Sequence, residues 1–301
     1  MKQTKMYPMK YLSICIAAII LASCGSTQNK NQTQENNSEI SVKLEILWET
    51  DPLMQTPESV LADESKGILY VSNMNRSAAP NSASGYISKV DMDGNIVELK
   101  WVEGLNGPKG MGLFEDNLFV SDNDELVTIN IESGKITEKI KIEGNPGLND
   151  VTVDNDGSVY VAGFETNVIY KVKNGIVESI FSGTQGENFN GLLWEDNRMF
   201  LTTSSSSMFK SIDWNNFEAT VLAEDIGHGD GIASVGNGDY IISDWFGRVF
   251  YVPAEGETIT LLDTREQEIN AADICYIIGT NTLYVPTFNK NTLKAYKVVI
   301  E

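Results

Sequence analysis

Residues 147–163 read GLNDVTVDNDGSVYVAG. Val151 and Val153 alternate with Thr152 and Asp154, the two-residue period of a half-buried strand. Asn155-Asp156-Gly157 supplies a tight turn, with glycine where a positive φ is needed. Val159, Tyr160 and Val161 form a β-prone run that can pair back on the first strand. An Asn-Asp pair, Asn149-Asp150, stands just ahead of that strand, where a polar side chain faces a rim or an axis.

The pattern recurs along the chain. Its copies open at Glu58, Lys109, Asn149, Asn190, Asp230 and Ala272, which are 51, 40, 41, 40 and 42 positions apart. Repeats of about forty residues made only of short strands are the signature of propeller blades. A third β-prone run follows in each copy, at 87–90, 127–129, 168–170, 208–210, 248–251 and 293–296. A fourth follows at 97–101, 136–142, 177–181, 220–222 and 259–262. The sixth copy reaches Glu301 without a fourth run, while a spare one, VKLEILW, stands at 42–48. Lending that N-terminal strand to the last blade closes the ring and removes two exposed sheet edges. The expectation is an all-β, six-bladed propeller over residues 42–301, with four antiparallel strands per blade. The first copy carries an insertion at 74–85, MNRSAAPNSASG, which reads as a loop, either a lid over one face or idle surface.

Ahead of the repeats, Lys2, Lys5 and Lys10 precede an apolar run at 11–21 that is too short to span a membrane comfortably. It leads into Leu21-Ala22-Ser23-Cys24-Gly25, which resembles a bacterial lipoprotein signal with its lipobox. The resemblance implies cleavage before Cys24, lipidation of its thiol, and a protein held on the bacterial envelope, periplasmic or at the cell surface. Residues 1–23 are then the signal peptide. Residues 24–41, rich in Ser, Asn, Gln and Glu, are a flexible tether. Of the three cysteines, only Cys275 remains in the repeats, as a small side chain of an inner strand. A formal charge of −20 argues against nucleic acid as a partner. It leaves a monomer with a small-molecule substrate as the expectation.

In a propeller the first strand of each blade lines the channel, so the six opening residues converge on one mouth. Two carboxylates and two amide oxygens, Glu58, Asp230, Asn149 and Asn190, are hard donors suited to a divalent cation. Calcium is foremost, with magnesium or zinc as alternatives. Lys109 either repels such an ion, turns away, or holds a substrate carbonyl oxygen. His228, the only histidine, is either a proton carrier or an exposed loop side chain. Trp245 and Phe288 either pack the blades or wall a pocket.

These residues resemble the six-bladed senescence-marker-protein/gluconolactonase family, which includes regucalcin. The shared steps are Pro57-Glu58, Leu148-Asn149-Asp150, Asn190-Gly191-Leu192 and Asp230-Gly231-Ile232. The resemblance implies that Glu58, Asn190 and Asp230 ligate a metal, with Asn149 a ligand or substrate contact. It also implies that Asp230 serves as general base in a metal-dependent lactone or ester hydrolase. Where the sugar-lactone hydrolases of that family tend to carry an arginine just before the Asn-Asp step, this chain has Gly147 and Leu148. A binding or scaffold propeller with a structural metal is the rival reading.

Overall fold

The computed structural model describes residues 40–79 and 82–301. The expected signal peptide, Cys24 as the expected lipidation site and nearly all of the expected tether lie outside these residues. The chain opens with β1 (Val42–Glu49) and then builds blades in order. Blade 1 holds β2 (Pro57–Asp63), β3 (Ile68–Asn73), β4 (Gly85–Asp91) and β5 (Ile96–Leu105). Blade 2 holds β6 (Pro108–Phe114), β7 (Asn117–Asp122), β8 (Glu125–Asn130) and β9 (Lys135–Lys141). Blade 3 holds β10 (Leu148–Val153), β11 (Val159–Gly163), β12 (Val168–Lys173) and β13 (Ile176–Ser182). Blade 4 holds β14 (Phe189–Glu195), β15 (Arg198–Thr203), β16 (Met208–Asp213) and β17 (Ala219–Ala223). Blade 5 holds β18 (Gly229–Gly236), β19 (Asp239–Asp244), β20 (Arg248–Val252) and β21 (Ile259–Asp263). Blade 6 holds β22 (Cys275–Ile277), β23 (Thr282–Pro286) and β24 (Leu293–Ile300), and takes β1 as its outer strand. The six-bladed architecture and its closure by the N-terminal strand are therefore as the repeats predict.

The quoted hairpin shows why these sequences fold this way. In the turn after β10, Asp154 Oδ1 accepts the amides of Asp156 at 2.9 Å and Ser158 at 2.8 Å, and Gly157 adopts φ +74°. The Asp154 side chain and the left-handed glycine thus set the register before any tertiary contact forms. Closure repeats the logic at long range. Strand β1 runs antiparallel to β24 from Val42 opposite Ile300 to Glu49 opposite Lys294, and Trp48 Nε1 donates to Met92 O of blade 1 at 3.0 Å.

Apolar packing falls into six clusters, one at each blade–blade interface. Tyr70, Ile87, Leu118 and Val127 join blades 1 and 2, for example, and Val42, Ile241, Tyr251, Leu283 and Val298 join blades 5 and 6. Fully burying one such side chain contributes about 1.5–3 kcal/mol. Surface ion pairs such as Lys43–Glu301 are screened by water and add little. The ring is therefore held by its interfaces and not by its surface charges.

Two local expectations are corrected. The Asn149-Asp150 pair is inside β10, where the ladder slips between Leu148 and Val151. The inner strand of blade 6 begins at Cys275 and not at Ala272. Asp273 is drawn sideways instead, its amide donating to Glu58 O at 2.9 Å across the blade 6–blade 1 junction.

Candidate functional site

A bulge stands at the same place in five blades. Pairing between first and second strands shifts at Pro57/Ser59, Pro108/Met111, Leu148/Val151, Phe189/Leu192 and Gly229/Ile232. The residues caught in it include Glu58, Lys109, Asn149, Asn190 and Asp230. A bulge bends the strand and re-aims its side chains, so five of the six opening residues are displaced together.

Hydroxyls on the second strands fix that displacement. Thr202 Oγ1 accepts the Gly191 amide at 2.8 Å and donates to Asp230 O of the next blade at 2.5 Å. Ser243 Oγ accepts the Gly231 amide and donates to Ala272 O, both at 2.8 Å. Ser72 accepts the Ser59 amide, and Ser121 donates to Asn149 O. Blade 3 has Ala162 at this position, and there Asp150 Oδ2 accepts the Leu192 amide at 2.6 Å. The polar residues ending the second strands clamp the loops that lead into the bulges. Asp244 Oδ1 accepts the His228 amide at 3.0 Å, and Asp122 Oδ1 accepts the Gly107 amide at 2.6 Å.

The mouth collects buried charge. Glu58, Asn149, Asn190 and Asp230 are all buried. Glu58 Oε2 and Asn190 Oδ1 have no hydrogen-bond partner among the described residues. Burial pushes the Glu58 carboxyl up to about 8, opposed by the charges of Lys109 and Arg76. Burial also holds Asp230 well above the usual carboxylate range, reinforced by Glu58. The charge of the half-buried Lys109 opposes both shifts. Ala272 is buried and brings no donor.

One residue further along each strand lies a second layer: Ser59, Gly110, Asp150, Gly191, Gly231 and Asp273. A Cβ on Gly110 would collide with Asp150, and one on Gly231 with Asp273 and Ile274, so these glycines let neighbouring strands close on two acids. Asp150 and Asp273 are both buried, and each carboxyl shifts the other's proton affinity. Burial raises both: Asp150 well above its ordinary range and Asp273 to about 7, the latter opposed by the 2.5 Å bond from Ser59 Oγ. Sequence reasoning passed over this pair. The three glycines in register with it were the available signal.

At this waist the channel opens into a cavity of about 510 Å³ whose walls include Asp150 and Asp273 themselves, beside Leu61, Leu113, Val153 and Leu193. It belongs to the end opposite the mouth, because its walls are the downstream halves of the inner strands.

At the mouth's rim an aromatic row runs from His228 to Phe246 (4.6 Å between ring centres), Trp245 (5.2 Å) and Phe288 (5.3 Å). His228 is exposed, its Nδ1 is 3.3 Å from Ser204 Oγ, and it stands outside the buried oxygen set. Two residues here escaped the sequence reading. Arg76, from the insertion, lies 5.5 Å over the Phe288 ring. Asn270 Nδ2 donates to Trp245 O at 2.9 Å while its buried Oδ1 has no described partner.

The donors fit a hard cation in their chemistry: two carboxylates and two amides, with two oxygens buried and unpartnered. Among the described residues no three acidic, imidazole or thiolate side chains by themselves make a metal cluster. An ion here would therefore depend on the amides.

The described residues thus define a six-bladed propeller with an acidic mouth. No protein-family model matches the sequence, and no curated protein does. Solved structures with this fold include virginiamycin B lyase from Staphylococcus aureus, 12% identical, with 87% of this chain and 100% of that one aligned at a TM-score of 0.62. Another is a protein whose gluconolactonase assignment is itself provisional: 13% identity, 86% and 93% coverage, TM-score 0.64. A third is the extracellular domain of a one-component system from B. thetaiotaomicron, 15% identical, covering 79% of this chain and 32% of that one, TM-score 0.55. At these identities the likeness is one of fold.

Proposed function

We propose that this chain binds a divalent cation, calcium foremost, at the channel mouth and hydrolyses a lactone or a related ester there. The observation that carries the reading is the pair of buried, unpartnered oxygens, Glu58 Oε2 and Asn190 Oδ1, on the inner strands of blades 1 and 4, opposite each other across one mouth. An unpartnered buried polar atom costs about 1–3 kcal/mol, and an occupant that uses both would remove that cost. The sequence likeness to the gluconolactonase family and the fold shared with a provisional gluconolactonase agree with this choice.

Glu58, Asn190 and Asp230 would hold the ion, with Asn149 as a further ligand or a substrate contact. When bound, such an ion polarises a carbonyl and makes water a stronger acid. Asp230 is the candidate proton acceptor, a buried carboxylate beside the ion it would help to hold. Lys109 can hold a carbonyl oxygen, and the Trp245 face shields the bound ring from water. His228, outside the buried set, is placed to pass a proton to solvent. Under the same reading a lipid on Cys24 would keep the propeller at the envelope.

The test is a panel of chromogenic lactones and aryl esters with and without a chelator. Turnover that chelation and Asp230→Ala both abolish is expected. The scaffold alternative predicts a chelator-dependent fall in melting temperature with no panel member hydrolysed.

A further inference from the structure

We propose that the mouth selects small ring-containing ligands that carry a carboxylate, and that Arg76 on the blade 1 insertion is the specificity-determining residue, assisted by Lys109. The inference rests on the mouth being the ligand site, as in the proposed function, but not on turnover there.

The chain has 42 acidic and 22 basic residues, so a general attraction for anions is not available to it. Half of its described cations are held in ion pairs, such as Lys66–Glu132, Lys210–Glu187 and Arg265–Asp263. Within the other half, Arg76 and Lys109 stand apart by acting on the mouth. Among the described residues neither has a carboxylate within ion-pair distance, and both act on Glu58 through space. Arg76 is exposed but not adrift, because its guanidinium lies 5.5 Å over Phe288. Phe288 in turn packs edge-on against Trp245 at 5.3 Å. The base of the insertion is tied down as well. The Met74 and Asn75 amides donate to Thr56 O at 3.0 Å and Gln55 O at 2.9 Å, and Asn75 Nδ2 donates to Ser84 O at 3.1 Å.

The arrangement places a planar five-donor fork on an aromatic wall, with a second cation deeper in the mouth. Guanidinium recognises carboxylate through paired, parallel hydrogen bonds, and a ring can lie along the wall while its acid group meets the fork. A neutral sugar lactone would leave the Arg76 fork unused. The chain also lacks an arginine before Asn149, so its guanidinium reaches the mouth from a different blade.

Phenylacetate and phenylacetamide, alike in shape and different in charge, are the probes, titrated calorimetrically with calcium and with chelator. Wild type is expected to prefer phenylacetate by about tenfold, equal to about 1.4 kcal/mol. Arg76→Gln should bring the two within about twofold, and Arg76→Lys should keep part of the preference, since lysine retains the charge but not the fork. Unchanged melting temperatures would show the variants are folded. The idea is overturned if Arg76→Gln keeps the full preference, if chelation alone removes it (the acid then sits on the ion), or if neither probe binds. Loss of lactone turnover with an intact Arg76-dependent preference would sink the hydrolase reading and leave this one standing.

Discussion

At the mouth of the channel the inner strands present Glu58, Asn190 and Asp230, buried and in part without partners. Three or four residues beyond the opening positions, the inner strands of blades 1 to 4 present Leu61, Leu113, Val153 and Leu193 around a cavity. Between the two ends stands the Asp150–Asp273 pair. A cavity and the unpartnered oxygens are thus at opposite ends of one channel. The difference teaches that a cavity and a set of unpartnered donors need not coincide: the far end has space beside the acid pair and inward-facing aliphatic side chains, whereas the mouth holds buried oxygens without a described partner. The bulge is what separates them, since beyond it the strands return to ordinary inward packing.

Breaking the mouth should leave the far end untouched. Glu58→Gln removes a buried charge from the donor set, and calcium affinity measured by calorimetry should fall at least about a hundredfold, in line with the loss of a direct ligand. His228→Ala should change it by less than about twofold, because that ring stands outside the set. Equal losses in the two variants would put the ion elsewhere.

Acidity separates the ends as well. Glu58, with a folded-state value near 8 against an ordinary 4.5, and Asp273, near 7 against 3.8, bind protons more readily folded than unfolded. Their contribution to stability is therefore complete below about pH 4 and is lost as pH rises through 7 and 8. The cation-free protein should melt several degrees lower at pH 8 than at pH 5, and added calcium should recover much of the difference. A melting temperature that climbs over that window would contradict the buried-acid account.

The converse experiment strikes the apolar end. Met111 is 4% exposed and lines the far cavity, so Met111→Ala should cost about 2–4 kcal/mol in denaturant unfolding. Calcium affinity should stay within about twofold. Coupled losses would show that the two ends are one unit. A smaller effect is expected from Ser243→Ala, which strands the Gly231 amide and Ala272 carbonyl at a cost of about 1–3 kcal/mol. Because Ser243 holds the bulge carrying Asp230, its removal should also weaken calcium modestly. Weakening without loss of stability would mean that the hydroxyl does not anchor the bulge.

Much of this was legible in the residues alone. The forty-residue spacing, the Asp-Gly turn at 154–157 and the unmatched strand at 42–48 determined the propeller and its closure, because strand period, turn chemistry and unpaired edges are local properties of a chain. The opening positions of the copies likewise picked out Glu58, Asn149, Asn190 and Asp230. What the repeats could not show is anything set by one blade's contact with another. Asp150 and Asp273 come from blades 3 and 6 and meet only across the closed ring. Arg76 reaches Phe288 from a loop whose composition gives no direction, and Ala272 brings the mouth no donor while Asp273 beside it joins the waist. Periodicity reports which face a residue takes within its own strand. Only the packed ring decides how far a bulge turns it, what stands opposite, and whether its charge is left without a partner.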